Sequence, residues 1–248
     1  MRLDAHQFFT AEHLPSHLES ILRRARFDGS IATAQSQEEN AGLLALAGEH
    51  GYIKGMIARV RLDGPKLEAA LDGYQRHPLF LGVTGSDLRP GGEFPAGLRV
   101  LERRGVPFDA EIPAAEIPAL LDRHPDLALA IVHLGRPDGS EAWFRGIERA
   151  AQSPKVYVKA SRLLTGWGKQ WSAGAVRPFV AHALAMFGPH RMMFGSDWPS
   201  CLPDSIWKET LAVFTQAIGA QSMETREWLL GESARAFYGI EETGRDRA

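Results

Sequence analysis

Short apolar runs and amphipathic segments alternate eight times along the 248-residue chain, and this alternation constrains the fold more than any single motif. The apolar runs read as strands at 3–6, 30–34, within 53–62, 80–83, 107–112, 128–133, 156–160 and 192–194. Helical spacing follows each of them, at 17–26, 38–50, 65–75, 94–104, 114–124, 141–152, 174–187 and 204–218. In the first of these, Leu18, Ile21 and Leu22 share one face. Strands separated by helices pair in parallel through crossovers, because a tight hairpin joins only antiparallel neighbours. Eight such units in a chain of about 250 residues predict a closed (β/α)8 TIM barrel, here a single domain over 1–248. An open doubly wound sheet would want a glycine-rich phosphate turn after its first strand. His6-Gln7-Phe8-Phe9 is nothing like one. Two further helices, at 222–230 and 233–238, are expected to close one end of the barrel.

Composition narrows the partners. Hydrophobic residues make up 44% of the chain, enough for a full core, and 28 basic against 30 acidic residues leave a net charge of −2. That balance gives no reason to propose nucleic acid or an anionic membrane as partner. No apolar stretch approaches the ~20 residues that span a bilayer. Asp4, His6 and Gln7 come at once at the N-terminus, where a leader would be basic and then apolar. The single cysteine, Cys201, excludes an internal disulfide and fits a reducing compartment. Cys201 itself reads as a loop or core thiol. The expectation is a soluble cytoplasmic protein that takes a small molecule, with a homo-oligomer left open.

Chemistry concentrates at predicted strand ends, where a barrel of this class keeps its reactive groups. In Arg191-Met192-Met193-Phe194-Gly195-Ser196-Asp197-Trp198-Pro199, an apolar run stops at a Gly-Ser pair and an acid follows. Asp197 can be a general base that activates water, or a metal ligand. It can equally be a helix cap or a loop acid. His6 ends the first strand and His133 the sixth. Each alone reads as a hydrogen-bonded structural histidine; together with Asp197 they would meet on one rim. Imidazole suits proton transfer near neutral pH or a divalent metal.

Arg136, just beyond His133, offers a planar fork that matches a carboxylate, or is a surface arginine. Alternation along the seventh strand puts Tyr157, Lys159 and Ser161 on one face, with Arg162 next. A lysine inside a closed lumen is costly, so Lys159 is expected at the mouth or outward in solvent. Asp109 and Glu111 on the fifth strand raise the same question, and Lys159 is the candidate partner for a buried acid there. Arg136, Lys159, Arg162, Trp198 and Glu111 form the candidate substrate-binding set. Trp143, Trp167, Trp171 and Trp207 read as packing residues or loop lids, with 166–171 as a lid, and Gly91-Gly92 as a turn.

Four segments, Asp4-Ala5-His6-Gln7, His133-Leu134-Gly135-Arg136-Pro137, Val156-Tyr157-Val158-Lys159-Ala160-Ser161 and Phe187 through Pro199, occur in an order that resembles the amidohydrolase superfamily. Within it they resemble the "amidohydrolase 2" branch of predicted metal-dependent hydrolases of the TIM-barrel fold. That branch includes L-fuconolactonase and 2-pyrone-4,6-dicarboxylate hydrolase. The resemblance implies that Asp197 is the base that activates the hydrolytic water. It implies that His6 is the first histidine of the strand-one His-x-His motif, and His133 the strand-six histidine. Arg136 resembles an arginine that meets substrate carboxylate, and Arg162 resembles a further one.

The chain departs from this pattern at Phe8, which stands at the second His-x-His position, and it has no strand-five histidine. Phenylalanine cannot ligate a metal. The resemblance therefore implies a lactone-opening hydrolase for a small sugar acid or dicarboxylate, with no cofactor favoured. A divalent metal such as zinc on His6, His133 and Asp197 is the alternative. The other readings are a lactone isomerase or decarboxylase of the same superfamily, or a catalytically decayed barrel that binds a small acid.

Overall fold

In a computed structural model, which describes residues 1–85, 95–165, 172–202 and 206–241, eight parallel strands pair in chain order. They are β1 (Leu3–Gln7), β2 (Gly29–Thr33), β3 (Ile53–Val60), β4 (Phe80–Gly85), β5 (Phe108–Ala110), β6 (Leu129–Ile131), β7 (Val156–Ala160) and β8 (Met192–Phe194). Between them run α1 (Pro15–Ala25), α2 (Glu39–Glu49), α3 (Leu67–Tyr74), α4 (Gly97–Arg104), α5 (Ile117–Arg123), α6 (Glu141–Ala151) and α7 (Ala173–Phe187). After β8 come α8 (Trp207–Ile218), α9 (Met223–Glu227) and α10 (Ser233–Tyr238). The seam between β8 and β1 is joined just past the strands. The Asp197 N–H donates to the His6 carbonyl, and the Phe8 N–H to the Trp198 carbonyl, both at 2.9 Å. This is the TIM barrel that the alternation predicts.

The helices form for local reasons and dock for apolar ones. α6 opens on Ser140, whose hydroxyl accepts from the Trp143 N–H at 3.2 Å. Trp143, Gly146, Ile147 and Ala150 then fall on one buried face. Burying a side chain such as Ile147 contributes roughly 1.5–3 kcal/mol. Two predicted helices are broken in the structure. The segment 114–124 begins as a 3-10 turn, Ala114–Glu116, before α5 starts, because Pro118 sits in the first turn and has no N–H to donate. The segment 222–230 gives way after α9 to a π turn, Trp228–Glu232. There Gly231 lies so close to the first strand that a Cβ would come within 2.1 Å of the Met1 carbonyl. The Met1 amino group and Glu232 pair at the same point.

The lumen holds Leu3, Ala5, Ile31, Ile57, Leu81, Ala130 and Met193, closed off by Ala234 and Tyr238 of α10 and by Ile240. Lys159 also lies inside, fully buried, which corrects the expectation that it reaches the mouth or solvent. Its ammonium donates to Asp109 Oδ2 at 2.6 Å and to the Ala5 carbonyl at 2.8 Å. Tyr238 donates to the other oxygen of Asp109 at 2.5 Å. The buried lysine is tolerated because an acid and a carbonyl take up its hydrogen bonds. No helix among the described residues is long and apolar enough to cross a membrane.

Gly195 is where three strands crowd together. A Cβ there would lie 2.8 Å from His6 Cβ and 3.1 Å from Ser161 Cβ. Neither contact is the far end of a flexible side chain, so the strands themselves would have to move. Gly195→Ala should destabilise the fold by about 1–3 kcal/mol. Thermal and urea unfolding would measure the loss; an unchanged midpoint would show that the seam has slack.

Candidate active site

Three strand ends bring the site together, two of them through a sharp backbone turn. β1 carries His6, which is buried. After β8 the chain turns at Gly195-Ser196, and Asp197 takes a left-handed φ of 59°. β6 stops at Ile131, short of its predicted end. His133 therefore sits beyond the strand, on a turn where His133, Leu134, Gly135 and Arg136 all have φ between 53° and 65°. That turn is held in place from behind. The Trp143 indole donates to the Leu134 carbonyl at 2.8 Å, and Gly135 passes so near Ala114 that a Cβ would be 2.7 Å from its Cβ.

Left-handed backbone is uncommon away from glycine, and residues held in sparsely populated backbone regions cluster at functional sites. Among the described residues it occurs at Arg26, His133, Leu134, Arg136, Arg162 and Asp197. All of these except Arg26 and Leu134 are candidate site residues.

The side chains converge. His6 Nε2 lies 3.6 Å from Asp197 Oδ1, and the His6 and His133 rings meet edge-on at 4.9 Å. His133 Nδ1 is 2.9 Å from the Ser161 hydroxyl, which leaves Nε2 for the site. Arg162 Nε donates to Asp197 Oδ2 at 3.2 Å. His6 Nδ1 is buried with no hydrogen-bond partner among the described residues. Ligand atoms of His6, His133 and Asp197 all lie within 4.8 Å of one another, so this group could hold a metal ion.

The field of the barrel sets their charges. Burial lowers the His6 imidazole well below its ordinary range, helped by the positive charge around it from His133, Lys159, Arg162 and Arg59. Burial does the same to His133, with Arg162, Arg136 and Lys159 adding to it. Both rings are therefore neutral at pH 7, as a metal-ligating imidazole must be, and a neutral ring keeps one N–H that can donate to an oxyanion. Burial pushes Asp197 up to about 6, against the Arg162 guanidinium that favours its charge. At neutral pH it is mostly carboxylate and close to the range of an effective base.

The remaining candidates occupy different places. Arg136 is exposed on the rim. Arg162 is 45% exposed and bound to Asp197. Trp198 is buried, with the His13 ring edge-on to it at 5.6 Å. Glu111 is half-buried and pairs with Arg59 at 3.0 Å. Lys159 lies beneath the site, bound to Asp109. Trp167, Trp171, Gly91-Gly92 and the 166–171 lid fall outside the described residues. Trp143 and Trp207 are buried packing residues that also donate hydrogen bonds. Sequence reasoning passed over Arg59, although a charged residue inside the apolar β3 demands a partner.

Residues 15–240 match the amidohydrolase family profile. The chain belongs to the amidohydrolase family. An L-fucono-1,5-lactonase of Burkholderia multivorans is 25% identical to it over 98% of this chain and 97% of that one. Another, from Burkholderia ambifaria, is 27% identical over 75% of this chain and 69% of its own. A Burkholderia multivorans amidohydrolase crystallised with bound zinc superposes with a TM-score of 0.86 at 24% identity, over 97% of this chain and 100% of the other. A putative 2-pyrone-4,6-dicarboxylic acid hydrolase of Pseudomonas putida superposes with a TM-score of 0.77 at 24% identity, over 98% of each.

In this amidohydrolase, Phe8 follows β1 and lies in a shallow pocket of about 430 Å³ with Thr10, Glu12, His13, Pro199 and Ser200. Neither Glu12 nor His13 belongs to the His6–His133–Asp197 group. If the His-x-His geometry is inherited, Phe8→His should raise zinc affinity by on the order of tenfold or more, a tenfold gain being about 1.4 kcal/mol. Calorimetric titration would measure it. No gain would mean that position 8 does not face the ligand group.

Proposed function

We propose that this amidohydrolase opens a lactone of a small sugar acid or dicarboxylate, with Asp197 as the base. The observation that carries the reading is the convergence of a carboxylate and two neutral imidazoles at one end of the barrel, within 4.8 Å. The kinship to lactonases supports the choice of a cyclic ester over an amide. A lactone carbonyl is the more electrophilic, so an oriented water, a base and hydrogen-bond donors supply much of what the reaction needs.

In the reaction, Asp197 takes a proton from water, and the water oxygen bonds to the lactone carbonyl carbon. Arg162 holds Oδ2, which leaves Oδ1, on the His6 side, free to receive the proton. An imidazole N–H of His6 or His133 donates to the carbonyl oxygen as charge develops on it. The ring C–O bond then breaks, and the leaving oxygen takes a proton from the protonated Asp197. Arg162 and the exposed Arg136 provide cationic forks for a substrate carboxylate. Trp198 and Glu111 complete the binding set, and Lys159 acts from below through its charge. The donor set fits a divalent ion such as zinc: His6, His133 and Asp197 would hold it, and it would supply Lewis acidity at the carbonyl oxygen.

The test is a panel of aldonolactones and pyrone dicarboxylates assayed by acid release, on protein purified without a polyhistidine tag. The assay is repeated after chelation and after zinc reloading. Turnover of a lactone supports the reading, and the chelation arm decides whether a metal is required. Thermal stabilisation by a product-like acid with no turnover on any lactone would instead make the protein a small-acid binder.

A further inference from the structure

Asp4 takes no part in the reaction as written, yet its carboxylate is completely buried at the seam where the barrel closes. Its Oδ1 accepts from the Ser196 N–H at 2.8 Å and from the His6 N–H at 3.3 Å. Its Oδ2 accepts from the Trp207 indole N–H at 2.8 Å. Ser196 is the residue before Asp197, and the other amide belongs to His6 itself. One oxygen atom thus ties the backbone just before the base to the backbone of the imidazole it faces. Three further features meet at the same place. Gly195 permits the close approach, the Asp197 N–H donates to the His6 carbonyl, and Asp197 keeps its left-handed φ of 59°. Both oxygens of Asp4 accept here, and an asparagine in its place would have a single acceptor oxygen, so its NH2 would face a donor and the turn would be gripped less firmly.

We infer that Asp4 is a positioning residue for the hydrolysis: its carboxylate fixes the turn at Asp197 and the 3.6 Å separation between Asp197 and His6. This rests on the reading of Asp197 as the base. The role differs from a plain seam clamp, because the amides it binds are those that aim the two reacting side chains.

The test compares Asp4→Asn and Asp4→Ala with Trp207→Phe, which takes away the Oδ2 donor and part of a buried ring but leaves both backbone donors on Oδ1. Both Asp4 variants should lose about 10–100-fold in kcat with KM changed by no more than about threefold, the size of effect seen when supporting partners of site residues are removed. A crystal structure of Asp4→Asn should show the Asp197–His6 separation changed and the turn at residue 197 relaxed. Trp207→Phe should lower Tm but keep kcat within about threefold of the parent, by the same measure. The inference is overturned if Asp4→Asn and Asp4→Ala keep the parent kcat. An unchanged separation in the variant crystal structure also overturns it, as does Trp207→Phe losing kcat in step with the Asp4 variants. If the parent enzyme opens no lactone, the reading of the base fails, and the separation in the variant crystal structure still decides the role of Asp4.

Discussion

Asp197→Asn should leave the barrel folded and cut lactone hydrolysis by about 10²–10⁴-fold, the usual contribution of a positioned base. The amide keeps the size of the carboxylate, and its oxygen can still accept from Arg162 Nε. The seam hydrogen bond uses the Asp197 backbone N–H and is untouched. What disappears is the atom that can take a proton from water. Arg162 loses an anionic partner but is 45% exposed, so water can solvate it cheaply. Tm should therefore stay close to the parent value while kcat collapses. Near-normal turnover on a confirmed substrate would remove Asp197 from the role of base.

The second large effect concerns stability. Lys159→Met should destabilise the protein by about 3–5 kcal/mol, because Asp109 is then left buried with no cation. Lys159 and Asp109 are both essentially sealed from solvent, so water cannot make up the loss. Pairing the change with Asp109→Leu should recover much of it, since removing both charges also removes their desolvation cost. Tyr238 keeps an unsatisfied hydroxyl in the double variant, so recovery is incomplete. For a domain of this size the single variant's Tm should fall on the order of 10 °C. A double variant no more stable than the single one would show that the triad is held by packing and not by its charges.

The barrel was readable from the chain because its signal is repetitive and local. Eight apolar runs each precede a helical stretch, and no other fold class fits that order so simply. Boundaries slipped once for a local reason and once for a tertiary one. Pro118 tightened one helix start, and the approach of Gly231 to Met1 broke another helix. The candidate site residues were legible by position, as polar side chains at or just past the ends of apolar strands. Their geometry was not, because the turns at His133 and Asp197 depend on what packs behind them. Lys159 was misplaced for a similar reason. Strand alternation gives its face, but only the closed barrel brings Asp109 and the Ala5 carbonyl to its ammonium.

The seam between β1 and β8 also bears on when the protein becomes an enzyme. His6 belongs to the first strand, and Ser196 and Asp197 follow the last; the bond from Ser196 to Asp4 spans 192 residues of chain. Contacts that far apart in sequence form late, because loop-closure entropy must be met before they contribute. β1 pairs early with β2 but waits for the last strand to supply its second neighbour. A barrel with seven strands in place has every helix up to α7 able to dock, but Asp197 and His6 have not met. Catalytic competence should arrive in one step with ring closure, so recovery of activity during refolding should lag behind recovery of helix signal.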